Sequence, residues 1–168
     1  VLADKYIEEK TPEQFAHVFE TKVDGFGRLL AATADDPLRF IVAFTSVAAQ
    51  FGNVGQTDYA AANEVLNKVC QAEAYRRKGA CLVRAINWGA WEGGMVSPEL
   101  ARHMKELDFK LIPLDGGAAY LREVLERPNV GAVEMVAVDR SNLGGFAATE
   151  PAVGRRLVED EPSIQAAE

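Results

Sequence analysis

The spacing of apolar positions along the chain changes several times, and each change marks an element. Phe15, Val18, Phe19, Val23, Phe26, Leu29 and Leu30 recur three and four residues apart, the period of a helix with one apolar face. Thr11-Pro12-Glu13-Gln14 opens that helix, with Thr11 placed as N-cap, Pro12 at the first helical position and Gln14 completing a capping box. Asp35-Asp36-Pro37 breaks the pattern. The run from Phe40 to Thr45 is short, apolar and β-prone, as in a strand buried on both faces. A second helix is predicted from Thr57 or Asp58 to about Arg77, stopping at Gly79, with Arg76, Arg77 and Lys78 near its negative end. Ala80 to Asn87 supplies another apolar strand, and Ser97-Pro98-Glu99 starts a short helix reaching about Leu107. Leu114-Asp115 begins a further helix with Leu121, Val124 and Leu125 on its apolar side, ending near Pro128, and Gly131 to Val138 reads as a last strand. Periodicity fades near the end, so residues 1–148 are expected to form the folded unit and 149–168 a linker or disordered tail.

Helix, strand, helix, strand, short helix, helix, strand is the alternation of an α/β protein whose crossover helices cover a parallel sheet. The expected fold is a Rossmann-like doubly wound sheet. No G-x-G-x-x-G follows an early strand, and no acidic residue stands at the usual distance for a ribose. If the chain works with a dinucleotide, the glycine-rich half of that site is expected elsewhere.

Composition narrows the partners. The 168 residues are 48% hydrophobic, enough for a core, and 18 basic against 25 acidic residues give a net charge of −7. That balance argues against nucleic acid or an anionic membrane as the main partner. Cys70 and Cys81 have no zinc spacing and are expected to be reduced, buried thiols; no metal site is expected. No run approaches the ~20 apolar residues of a membrane span, and no signal sequence opens the chain, so a cytoplasmic location is expected.

The chemistry gathers between Ser46 and Asn63, S-V-A-A-Q-F-G-N-V-G-Q-T-D-Y-A-A-A-N. Ser46 stands where the first strand ends, and Tyr59 in the first turn of the next helix, so two hydroxyls can meet in one crevice at the carboxyl end of a parallel strand. Asn63 follows Tyr59 by four residues and shares its helix face. Trp88-Gly89-Ala90-Trp91-Glu92-Gly93-Gly94-Met95 adds flat apolar walls and glycines that permit close approach to a ligand. The helix after it, with Met104, is a candidate lid. Each residue also has a plain structural reading: a strand-end cap for Ser46, a core aromatic for Tyr59, a helix-surface amide for Asn63. His17 and His103 are expected to be ordinary helix residues.

With these residues in place the chain resembles the carboxyl-terminal part of ketoreductase domains from type I polyketide synthases, in the short-chain dehydrogenase/reductase superfamily. V-L-A-D-K-Y-I-E-E-K-T-P-E-Q-F, T-K-V-D-G, N-E-V-L-N-K, N-W-G-A-W-E-G-G-M-V-S-P-E-L and I-P-L-D-G-G-A look most like the ketoreductases of polyunsaturated-fatty-acid synthases. The resemblance implies that Tyr59 is the proton donor, that Ser46 holds the substrate carbonyl, and that Lys22 and Asn63 complete the set. Most short-chain dehydrogenases carry a lysine four residues after the tyrosine; here that place is Asn63, and Lys22 takes the lysine's role. A free phenol, with a pKa of about 10, is a poor acid near neutrality, and a lysine ammonium beside it favours the phenolate.

The resemblance further implies NADPH as cofactor, with Lys22, Tyr59, Trp88, Gly89, Met95 and Val96 beside it. The implied substrate is a β-ketoacyl chain tethered to an acyl carrier protein, and the other partners are the remaining domains of a large synthase, among them the missing amino-terminal half of the reductase. Asp4, Phe51, Gln56, Trp91 and Met104 are implied to touch substrate and set stereochemistry. Relatives that make the D-configured alcohol usually carry L-D-D where this chain has Leu2-Ala3-Asp4, and the opposite class has tryptophan where Phe51 stands. Asp4 with Phe51 points to the D-type product, although Ala3 departs from the pattern. The alternative is a redox-silent reductase-like domain serving as scaffold.

Overall fold

A computed structural model of the chain describes residues 3–93, 96–106, 108–127, 132–139 and 141–142. The elements in order are α1 (Pro12–Ala32), β1 (Phe40–Ser46), α2 (Ala48–Phe51), α3 (Thr57–Arg77), β2 (Leu82–Trp88), α4 (Pro98–Glu106), α5 (Leu114–Glu126) and β3 (Glu134–Ala137). Every helix and strand expected from the apolar spacing is present, and α2 is an added single turn. The strand expected from Ala80 starts two residues later and takes in Trp88, which the sequence had placed in a loop. The expected tail at 149–168, and Gly131 at the start of the last strand, lie outside the described residues.

Local chemistry accounts for the ends of the long helices. Thr11 Oγ1 accepts a hydrogen bond from the Gln14 N–H at 3.3 Å, and Gln14 Oε1 accepts from the Thr11 N–H at 3.1 Å, closing the capping box of α1. At the far end of α3, Lys78 takes a left-handed conformation (φ 49°) and Gly79 follows it at φ 84°, so the chain leaves the helix sharply toward β2.

The three strands form one parallel sheet in the order β1-β2-β3. Ser46 lies opposite Trp88, and Trp88 opposite Ala137, which brings the carboxyl ends of all three strands into one row. Ile41, Ala43, Val83 and Ala85 pack with Cys70 of α3, and Phe26 and Leu30 of α1 lie against them. Ile86, Trp88 and Ala137 pack with Val124 of α5. Helices therefore cover both faces, α1 and α3 on one and α5 on the other, which is the doubly wound arrangement. Both cysteines are free and buried; burial, with Glu73 nearby, pushes the Cys70 thiol up to about 12 and raises that of Cys81.

A polar network unforeseen in the sequence crosses the sheet beneath its carboxyl edge. Asn87 Oδ1 accepts from Thr45 Oγ1 at 2.9 Å and from Asn67 Nδ2 at 3.1 Å, while Asn87 Nδ2 donates to Glu134 Oε1 at 3.2 Å. Glu134 also accepts from Gln71 at 2.7 Å and from Gln50 of α2. Buried polar groups need such partners, and these bonds tie β1, β2, β3, α2 and α3 together, with Thr45 and Asn87 one residue below the row where Ser46 and Trp88 stand.

Candidate active site

A crevice of about 860 Å³ lies over the carboxyl ends of the strands. Ser46, Tyr59 and Lys22 all line it, although they come from β1, α3 and α1. Ser46 ends β1, and its Oγ accepts from the Ala48 N–H at 3.2 Å where α2 begins. That bond uses a lone pair and leaves the hydroxyl proton for a ligand. The Lys22 Nζ stands 5.4 Å from the centroid of the Tyr59 ring, within the range of a cation–π contact. Among the described residues no carboxylate forms an ion pair with Lys22, and burial pushes its pKa below the ordinary lysine value. A half-buried ammonium without a counter-ion thus faces the crevice beside a phenol.

Asn63 is placed differently from Tyr59. It shares the tyrosine's helix face, yet it is fully buried and is not part of the crevice wall. Its Nδ2 donates to the Tyr59 carbonyl at 2.8 Å, and its Oδ1 has no hydrogen-bond partner among the described residues. The side chain runs back along α3, as helix geometry dictates, and so holds the backbone of the first turn.

At the rim, Gln56 Nε2 donates to Asp4 Oδ2 at 2.8 Å, and Asn53 Nδ2 donates to Gln56 Oε1 at 2.9 Å. Asp4 and Gln56 line the crevice; Phe51, at the end of α2, does not. Trp88, Gly89, Trp91, Val96 and Met104 line the opposite side, and Met95 lies outside the described residues. The Trp88 ring meets Trp91 at 4.7 Å and 63° and Tyr120 at 5.7 Å and 80°, edge-to-face contacts that fix the wall. The Trp91 loop is pinned in turn: Ile112 N–H donates to the Ala90 carbonyl at 2.8 Å, and Glu92 N–H to the Ile112 carbonyl at 2.9 Å. Helix α4 has no buried residue and turns Leu100 and Met104 to the crevice.

Several supporting residues escaped sequence reasoning. Asn142 clamps the backbone of Lys110 from both sides, accepting from its N–H at 2.9 Å and donating to its carbonyl at 2.7 Å. Gly117 carries a sharper signal, because a glycine inside a helix is unfavourable without a packing reason. A Cβ at that position would stand 2.2 Å from Trp91 Cη2. Gly117→Val should therefore drive the Trp91 ring from its seat and cost about 1–3 kcal/mol through overpacking. A lower urea midpoint and a weakened near-UV circular dichroism signal from the Trp88–Trp91 pair are the expected readings.

Other classes of site find no support among the described residues. No group of three or more His, Cys, Asp or Glu could hold a metal, and no helix is long and apolar enough to cross a membrane. His17 and His103 are both exposed on their helices and do not line the crevice.

The family model described as KR domain matches residues 1–93. One of the polyunsaturated fatty acid synthase subunits of a Thraustochytrium species is 42% identical over 118 residues, which cover 70% of this chain and 4% of that protein. Polyketide synthase ThaG of Burkholderia thailandensis is 33% identical over 164 residues, 93% of this chain and 3% of the synthase. The chain thus spans only a few per cent of the length of these relatives. Among solved structures, the first ketoreductase of the tylosin synthase matches with a TM-score of 0.68 at 30% identity, covering 83% of this chain and 30% of that one. An N-terminal ketoreductase from the macrolactin assembly line matches with a TM-score of 0.71 at 26% identity, covering 87% and 28%.

Proposed function

Since the chain belongs to the KR domain family, reductases of the short-chain dehydrogenase/reductase type, we propose that it is the catalytic part of a β-ketoacyl reductase. Its substrate in this reading is a β-ketoacyl thioester on an acyl carrier protein, its cofactor NADPH and its product a D-configured β-hydroxyacyl chain. The observation that carries the reading is the meeting of Ser46, Tyr59 and Lys22 in one crevice at the carboxyl edge of the sheet.

The crevice suits a nicotinamide cofactor. Among the described residues no carboxylate pairs with the Lys22 ammonium, and the buried Trp88 Nε1 has no hydrogen-bond partner there. Lys22 and Tyr59 would hold the cofactor's ribose end, and Trp88, Gly89 and Val96 its nicotinamide end. When bound, the cofactor supplies the hydride. The chain's own residues handle the charge that results. Ser46 donates a hydrogen bond where the carbonyl oxygen turns anionic, as an oxyanion stabiliser rather than a nucleophile. Tyr59 gives its proton to that oxygen, and the Lys22 ammonium stabilises the phenolate left behind. Asn63 keeps the first turn of α3 in place through the Tyr59 carbonyl. The short helix α4, with Leu100 and Met104 toward the crevice, folds over the acyl chain as a lid.

The outer edge of the sheet fits a part-domain. β1 is an edge strand with seven residues and exposed Phe40 and Phe44, a surface that proteins normally cover or pair. The remaining half of the reductase domain, carrying the glycine-rich cofactor loop, would take that edge. In the full-length protein, a β-ketoacyl thioester should be consumed with NADPH faster than with NADH, and chiral analysis should return the D-alcohol. Absence of turnover with either cofactor would leave a structural, redox-silent domain; an L-alcohol would overturn the stereochemical assignment.

A further inference from the structure

Lys10 and Asp58 form an ion pair at 2.7 Å, with side chains only 3% and 1% exposed. Removing two charges from water is costly and is repaid only where further hydrogen bonds complete the geometry. Here they do. Lys10 Nζ also donates to the Ala3 carbonyl at 2.8 Å, and Asp58 Oδ1 accepts from the Tyr59 N–H at 2.9 Å. Asp58 sits in the first turn of α3, where the helix dipole favours a carboxylate. One buried pair therefore joins the backbone beside Asp4 to the backbone of Tyr59.

The other links between these two segments are weaker. Gln56 reaches Asp4 through an exposed side-chain bond, and the Lys5 N–H donates to the Gly55 carbonyl at 3.0 Å. Both join the same two segments that the Lys10–Asp58 pair joins. Gly55 lies in ordinary contact with the Lys5 backbone and takes φ +80°, a left-handed conformation that favours glycine.

We propose that Lys10 and Asp58 are positioning residues that hold the Asp4–Gln56 rim at a fixed distance from the Tyr59 hydroxyl, and thereby set the stereochemical fidelity of ketoreduction. The proposal rests on the reductase reading above. Neither residue lines the crevice, so they act on the reaction through Asp4 and Tyr59. Reacting groups displaced by about 1 Å can lose 10²-fold in rate. A rim free to shift admits the substrate in both orientations, so the product becomes a mixture.

The test uses the full-length protein, NADPH and a 3-oxoacyl N-acetylcysteamine thioester. The double variant Lys10→Met with Asp58→Asn replaces the pair by near-isosteric neutral groups and leaves no lone buried charge. Its product should lose enantiomeric purity and its kcat should fall roughly 10- to 100-fold, with KM for NADPH unchanged. A second reading needs no variant: in the wild-type protein the Lys5 and Tyr59 amides should exchange hydrogen with the same opening free energy, because one pair fastens both segments. A double variant that keeps wild-type purity, whether its rate is intact or reduced, overturns the proposal, as do amides that open independently. A wild-type protein that turns over no ketoacyl substrate overturns the reductase reading, and this proposal with it.

Discussion

Tyr59→Phe should lower kcat for ketoreduction by about 10²–10⁴-fold, the range for losing a positioned general acid, a loss that persists at saturating cofactor. The substitution removes one oxygen and little else. The ring remains under the Lys22 ammonium 5.4 Å from its centroid, and the Asn63 bond goes to the Tyr59 carbonyl, which phenylalanine keeps. Initial rates against thioester concentration, at saturating NADPH, give the comparison. Equal rates for the two proteins would remove Tyr59 from the mechanism.

Lys22→Met is the matching control, because its effects on activity and stability should part. Burial holds the Lys22 pKa below its ordinary value, so between the folded value and the unfolded value of about 10.4 the unfolded chain binds more protons. Stability therefore rises with pH through that window, and below it the folded protein carries the full cost of the buried ammonium. Methionine removes the cost. Activity should fall with Lys22→Met while the melting temperature at neutral pH does not, which is the pattern of a group kept for chemistry at the expense of stability.

Much of this architecture was legible because the apolar spacing is regular. Phe26 and Leu30 lie on the face of α1 that the helical period predicts, but β1, expected to be buried on both faces, is covered on one only: Ile41 and Ala43 are buried under α1 and α3, while Phe40 and Phe44 on the other face are exposed, because apolar composition does not tell which face a helix covers. Ser46 and Tyr59 could be placed in one crevice because a strand end and a helix start are both marked locally. Helix α2 was not legible: four residues, Ala48 to Phe51, are too few to show a period, and its N-cap, Val47, makes no side-chain cap bond that a sequence could signal. Asn63 could be put on the right face but not at the right depth, since spacing fixes direction around a helix and says nothing of what covers it. The Thr45–Asn87–Glu134 network was hidden for another reason. Each member looks like an isolated polar residue in or beside an apolar run, and only the parallel register brings them within bonding distance.

Lys10 and Asp58 are the extreme case of that blindness, 48 residues apart and indistinguishable in sequence from surface charges. Their burial makes the second large effect a matter of how the pair is removed. Asp58→Asn alone leaves the Lys10 ammonium 3% exposed with no carboxylate to face it, and breaking a buried pair in this way costs about 3–5 kcal/mol. The urea midpoint should fall by at least about 1 M, taking an m-value of up to about 3 kcal/mol/M. Adding Lys10→Met to that variant should restore most of the loss, because neutral groups of similar volume in place of a buried ion pair are often neutral or stabilising. A double variant as unstable as the single would mean that the pair itself supplies net stability. Recovery of the midpoint without recovery of stereochemical purity would separate the two roles, leaving the pair's contribution in where it places Asp4 and Tyr59 rather than in how firmly the chain is folded.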